Sequence, residues 1–155
     1  MPQLTLFLSG LLLGIAAQTA AQAASDIADP YNWYQESYGP LWLNSPEKNV
    51  QKLMGYYAKE VSVHAEDGGI SVQSQQELIE TPMAAWFAEG WLTAELTGLK
   101  MNRINTTTAS YKAKWLDSYK SGDTEVSCGW YLADWINDSW SFTAYADIDC
   151  ATHGL

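Results

Sequence analysis

Val126, Cys128, Trp130, Leu132, Asp134 and Ile136 occupy alternate positions, so in an extended chain they share one face. That face is apolar except for Asp134. A carboxyl in such a stripe is costly to bury. It therefore either reaches water at a sheet edge or serves in a pocket. Tyr111, Ala113, Trp115 and Asp117 alternate in the same way, with Lys112 and Lys114 on the opposite face. Strands are predicted near residues 93–104, 106–119, 124–136 and 140–150. Ser121-Gly122-Asp123 and Asn137-Asp138-Ser139 mark turns between the last three. Long neighbouring strands with short turns make an antiparallel meander.

The first half of the chain reads differently. Asp29 to Leu43 is rich in aromatic residues and is predicted as a helix strained by Gly39-Pro40. Ser45 is an N-cap candidate, with Pro46 at the first helical position. Val50, Leu53, Met54 and Tyr57 then give one buried face. Val61 to Ala65 reads as a short strand, Glu66 to Gly69 as a turn, and Ile70 to Val72 as a return strand. Ser74 and Glu77 form a capping box before a third helix, whose inward residues are Leu78, Ile79, Met83, Trp86 and Phe87. Pro82 kinks or restarts that helix, with Thr81 as cap, and Gly90 ends it. Helices first and strands last is the α+β order, with helices packed on one face of a curved sheet.

Composition narrows the setting. Leu4 to Ala17 is an apolar run too short to favour a membrane span, and Ala21-Gln22-Ala23 reads as a cleavage site. Residues 1–23 are expected to be a signal peptide and 24–155 a single secreted or periplasmic domain, with no membrane contact after cleavage. The formal charge of −10 lies wholly in that domain and argues against nucleic acid and anionic lipid. Eight Trp and nine Tyr supply aromatic area for a core, with a minority available to a ligand site. Cys128 and Cys150 are expected to pair in an oxidising compartment. No metal site is expected, because His64 and His153 are too few and there is no CxxC.

The hairpin sets a condition on that disulfide. A regular two-residue loop at Asn137-Asp138 puts Cys128 and Cys150 on opposite faces of the sheet. A three-residue loop, or one bulge, restores a shared face. Asn105-Thr106-Thr107 and Asn137-Asp138-Ser139 also match the glycosylation sequon at turns.

The order of elements resembles a known group. Leu43-Asn44-Ser45, Tyr57-Ala58-Lys59-Glu60 and Val61-Ser62-Val63-His64 are similar to the early motifs of SnoaL-like members of the nuclear transport factor 2-like superfamily. Asn137-Asp138-Ser139-Trp140-Ser141-Phe142 resembles the hairpin that opens that family's last strand. The resemblance implies a cone, with three N-terminal helices packed on a strongly curved, mainly antiparallel sheet and an apolar pocket at the open end. Relatives in that superfamily include ketosteroid isomerase, scytalone dehydratase, limonene-epoxide hydrolase and polyketide cyclases, and others only bind or assemble. The isomerase's general base does not carry over. Its register runs here through His64 to Ala65, unless the turn shifts Glu66 or Asp67 into place. Tyr31, Tyr34 and Tyr38 lie where the isomerase's donor tyrosine falls, and none matches uniquely.

The expected chemistry is therefore conditional. His64 can serve as a general base next to a carbonyl, and Asp134, held neutral by apolar surroundings, can donate a hydrogen bond to the developing enolate. Tyr111, Trp115 and Trp130 are candidates to line the cavity, with Ala113 leaving room. The competing readings are structural. His64 is then a hydrogen-bonded strand residue, and Asp134 meets a backbone group or Lys112 or Lys114. The favoured function is binding of a small, largely apolar molecule, with or without cofactor-free acid–base chemistry of isomerase, dehydratase or cyclase type. The alternative is a non-catalytic interaction domain, including a homodimer through the sheet face. Glycan binding by exposed aromatics ranks last. Which side of the sheet Asp134 faces decides the matter.

Overall fold

A computed structural model describes residues 27–155. The expected signal segment, 1–23, lies outside the described residues. The first helical stretch, α1 (residues 30–43), is wound in three pieces: an α-turn Pro30–Asn32, a π-helical Trp33–Tyr38 and an α-turn Pro40–Leu43. Asp29 caps it, its Oδ1 accepting the Asn32 N–H at 2.9 Å. Pro40 has no N–H to give, and the Gly39 N–H reaches back five residues to Tyr34 O at 2.8 Å. The mixed winding keeps Tyr34, Tyr38 and Trp42 all buried.

The second helix, α2 (Pro46–Met54), starts at proline as expected. Ser45 does not cap it. The residue is left-handed, with φ 53°, and its hydroxyl makes no cap bond. Asn49 ties the junction instead, donating from Nδ2 to Asn44 O at 2.8 Å and Leu41 O at 3.1 Å. The third, α3 (residues 76–89), joins a π-turn Gln76–Glu80 to an α-helix Thr81–Glu89. Its capping box forms. The Ser74 N–H and Oγ both donate to Glu77 Oε2 at 2.8 Å, which holds the Glu77 carboxyl below its usual range. Thr81 opens no new helix, because the π-turn runs straight into the α-helix. Gly90, at φ 98°, ends it.

Six strands form one sheet: β1 (Tyr57–His64), β2 (Ile70–Ser74), β3 (Trp91–Arg103), β4 (Thr108–Tyr119), β5 (Thr124–Ile136) and β6 (Ser139–Asp147). Their order is β2-β1-β6-β5-β4-β3, antiparallel except for the β1–β6 pair. The helices cover one face. Trp33, Tyr34 and Tyr38 of α1 meet Tyr111, Trp115, Tyr131, Trp140 and Phe142 of the sheet, with ring centroids 4.8 to 6.5 Å apart. This concave face holds the aromatic core.

The β5–β6 hairpin meets the disulfide condition through a bulge. Asn137 and Asp138 both have positive φ, 50° and 61°, as a tight two-residue turn requires. Pairing is regular as far as Ala133 with Phe142, after which Leu132 pairs with Ala144. Thr143 is the extra residue. The shift brings Cys128 and Cys150 onto one face, where they are bridged with Cα atoms 5.4 Å apart. The same shift turns Tyr145 and Asp147 onto the concave side, where regular alternation from Phe142 would have pointed them outward. Strand β6 stops at Asp147, short of the expected residue 150, and the remaining chain folds onto the convex face. There Lys100 Nζ donates to Gly154 O at 2.6 Å and Lys114 Nζ to Leu155 O at 3.3 Å.

Candidate functional site

The convex face receives three of the residues singled out from the sequence. Val63 lines the concave cavity, so His64, next in the strand, points outward. Its ring stands edge-on to Trp130, centroids 6.1 Å apart. Tyr131 faces the helices, so Trp130, Leu132 and Asp134 face away. Among the described residues, Asp134 meets neither a backbone group nor a lysine. Its Oδ1 accepts from Thr108 Oγ1 and its Oδ2 from Thr143 Oγ1, both at 2.7 Å. The acid–base pair expected of His64 and Asp134 is therefore not brought together at the cavity, and Trp130 does not line it. Strand period 2 is the reason, since each lies one position from a neighbour on the concave face.

Tyr111 and Trp115 do lie on the concave face. Tyr111 is enclosed in the core, its hydroxyl donating to Pro30 O at 2.9 Å, and burial raises its pKa. Trp115 reaches the cavity wall.

That cavity, of about 300 Å³, opens between α3 and the concave face of β3, β4, β5 and β6. Its walls are indole. Trp91 is inclined to Trp42 by 77° and to Trp86 by 57°, and Trp42 to Trp115 by 58°, with centroids 5.9 to 6.2 Å apart. Leu78, Ile79 and Pro82 of α3 close the apolar side. Trp86 stands at the rim, 41% exposed.

The other side is polar. Asp117 is fixed on both oxygens, accepting from Trp91 Nε1 at 2.8 Å and Ser127 Oγ at 2.6 Å. Asp147 accepts a hydrogen bond from the Tyr145 hydroxyl on its Oδ1. Tyr57, Tyr131 and Tyr145 also line it, and Tyr57 shares a 2.5 Å hydrogen bond with Tyr38 behind it. Burial holds every one of these phenols protonated: Tyr131 is pushed up to about 12, while Tyr38, Tyr57 and Tyr145 lie well above the ordinary value. At neutral pH they are hydrogen-bond donors. The Trp42 indole N–H and the Tyr34 hydroxyl are buried with no partner among the described residues.

Sequence reasoning passed over Asp147, Tyr145, Ser127 and the indoles of Trp42, Trp86 and Trp91. Asp117 was within reach, since it alternates with Tyr111 and Trp115. Asp147 was hidden by the Thr143 bulge, which no pattern of apolar residues announces.

No family model matches the sequence, and no curated protein matches it. Solved structures do match in three dimensions. An NTF-2 like protein of unknown function from Shewanella oneidensis MR-1 superposes with a TM-score of 0.59 at 14% identity, covering 82% of this chain and 99% of its own. An NTF2-like protein with a cystatin-like fold from Novosphingobium aromaticivorans gives 0.56 at 13% identity, covering 88% of each chain. A protein from Xanthomonas campestris pv. campestris, provisionally named a polyketide cyclase, gives 0.51 at 10% identity over 86% of this chain and 94% of that one. Identities this low speak for the fold alone. The three N-terminal helices and the six-stranded, mainly antiparallel sheet are those of the nuclear transport factor 2-like fold.

Proposed function

We propose that this chain is a SnoaL-like domain that holds a small, largely apolar molecule in its conical pocket. The observation that carries the reading is the cavity itself: about 300 Å³, walled by four indoles on one side and by Asp117, Asp147 and tyrosine hydroxyls on the other. Apolar walls with a few convergent polar groups are the usual form of a small-molecule site. The motif Leu43-Asn44-Ser45, the strand Val61 to His64 and the final hairpin support the SnoaL-like branch.

The pocket is equipped for cofactor-free acid–base chemistry of isomerase, dehydratase or cyclase type. Asp147 is the base. One of its oxygens is held by Tyr145 and the other accepts a proton from a carbon beside a carbonyl. Tyr131, a neutral phenol, donates to the oxygen on which charge develops. Hydrophobic ketones and lactones should raise the melting temperature. Solvent deuterium exchange next to the carbonyl of a bound ketone, followed by NMR, separates catalysis from binding. Exchange lost in Asp147→Asn supports the base. Melting shifts without exchange reduce the function to binding, and no shift with any ligand removes the reading.

We further propose a secreted or periplasmic location, supported by the signal-like residues 1–23 and the Cys128–Cys150 bridge. No helix among the described residues is long and apolar enough to cross a membrane. A second reading, a non-catalytic interaction or dimerisation domain, is favoured by Ile70 and Val72 of the edge strand β2, 66% and 65% exposed. A homodimer through the sheet face would have to pack over residues 148–155. Light scattering across a concentration series tests both arrangements.

A further inference from the structure

We infer that the molecule held in this pocket carries a cationic head, an alkylammonium group on an apolar body. This rests on the pocket reading above and names the class of ligand. Three features of the cavity converge on it.

The first is the aromatic geometry. Trp86, Trp91, Trp42 and Trp115 follow one another in three contacts inclined at 57° to 77°, so they do not stack as a slab. All four line the cavity, and rings so inclined can form the sides of a box that offers π surface to a guest. Indole has the strongest π-face attraction for cations among the side chains, and ammonium groups are its common guests.

The second is charge. Asp117 and Asp147 both line the cavity, and among the described residues no Lys, Arg or His lines it. Three of the seven lysines, Lys100, Lys112 and Lys114, are on the convex face, where they meet the C-terminal residues at 2.6 to 3.3 Å. The pocket is thus negative in a chain of formal charge −10. Low-dielectric walls focus such a field, which draws cations in and keeps anions out.

The third is the contact between the first two. The Trp91 N–H donates to Asp117 at 2.8 Å. A carboxylate on the indole nitrogen pushes electron density into the ring and strengthens the negative face that a cation would meet. Ser127 holds the second Asp117 oxygen at 2.6 Å, so the carboxylate is kept in that orientation.

Matched probes test the inference. Choline and 3,3-dimethylbutan-1-ol have the same shape and differ in the quaternary nitrogen. Benzyltrimethylammonium fills more of the cavity, and benzenesulfonate is an anion of similar size. Binding is read by tryptophan fluorescence and melting temperature on the full chain. The two cations should bind, choline about tenfold or more tighter than its neutral isostere, and benzenesulfonate should not. Asp147→Asn and Trp86→Ala are both at exposed positions. Each should weaken the cations several-fold, and Asp147→Asn should weaken them more than it weakens 3,3-dimethylbutan-1-ol. If the neutral isostere binds as tightly as choline, or if Asp147→Asn weakens both equally, the cationic head is wrong while the apolar pocket stands. If cations and hydrophobic ketones alike leave fluorescence and melting unchanged, the inference and the pocket reading fall together.

Discussion

Thr143 Oγ1 donates to Asp134 Oδ2 at 2.7 Å, from the one residue that β6 carries in excess of β5. Thr108 Oγ1 holds the other oxygen from β4, so Asp134 ties three adjacent strands together on the convex face. The bulge that supplies this partner also brings Cys128 and Cys150 to one face and swings Tyr145 and Asp147 into the cavity. A single inserted residue thus sets the site on one side of the sheet and the bridge on the other.

These two bonds predict a structural role for Asp134. Asp134→Ala should leave the two half-buried threonine hydroxyls without their acceptor and cost about 1–3 kcal/mol in urea unfolding. Affinity for pocket ligands should stay at the wild-type value in this variant, and in His64→Ala. A loss of binding in the folded variants would return the site to the convex face.

Gly129 makes room for Tyr131. A Cβ on Gly129 would lie 2.9 Å from both Cε2 and Oη of Tyr131, whose ring leans back over it between Tyr34 and Tyr145. Gly129→Ala should therefore push that ring toward the cavity and cost about 1–3 kcal/mol, as overpacking does. The check is a lowered denaturation midpoint together with weakened binding. Unchanged values for both would show that the ring is free to move aside.

The disulfide closes a loop of sequence separation 22, for which loop-closure entropy gives about 3 kcal/mol. Cys150→Ser should lose roughly that amount. It should also free the C-terminal residues, readable as faster amide exchange beyond Asp147. The concave pocket should still bind its ligands in conditions where the variant remains folded.

The buried phenols make stability fall in alkali. Tyr131 holds its proton up to about 12 in the folded chain, against 10 when exposed, and Tyr38, Tyr57 and Tyr145 are shifted the same way. The folded state thus binds more protons than the unfolded one above pH 10. This contribution is fully present below pH 10 and is lost as pH rises through the folded values. The urea midpoint should decline above pH 10, with phenolate absorbance rising together with unfolding. Phenolate appearing first, in a still-folded chain, would contradict the burial.

Most of the fold was legible because it rests on local rules. The alternation in β4 and β5, the Ser74–Glu77 box, the stop at Gly90 and the turn at Asn137-Asp138 each follow from the chemistry of residues close in sequence. The site was less so. Asp134 drew attention as an acid among apolar neighbours, but the faces of a strand cannot be named in or out from its own pattern when both carry aromatic residues. Trp130 and Tyr131 are such a pair. Asp147 was out of reach for another reason, since its direction depends on a register shift four residues earlier. Trp42, Trp86 and Trp91 meet only because three separate elements fold over one end of the sheet.

The central claim is that function resides on the concave side, at Asp117, Ser127, Gly129 and Asp147. Backbone amide shifts recorded while titrating the full chain with benzyltrimethylammonium, or with the tightest-binding ketone or lactone, test it most directly. The largest changes should fall on Ser127, Gly129, Tyr145 and Asp147 and on the indole N–H groups of Trp86 and Trp91. Changes centred on His64, Trp130 and Asp134, with those signals still, would contradict it.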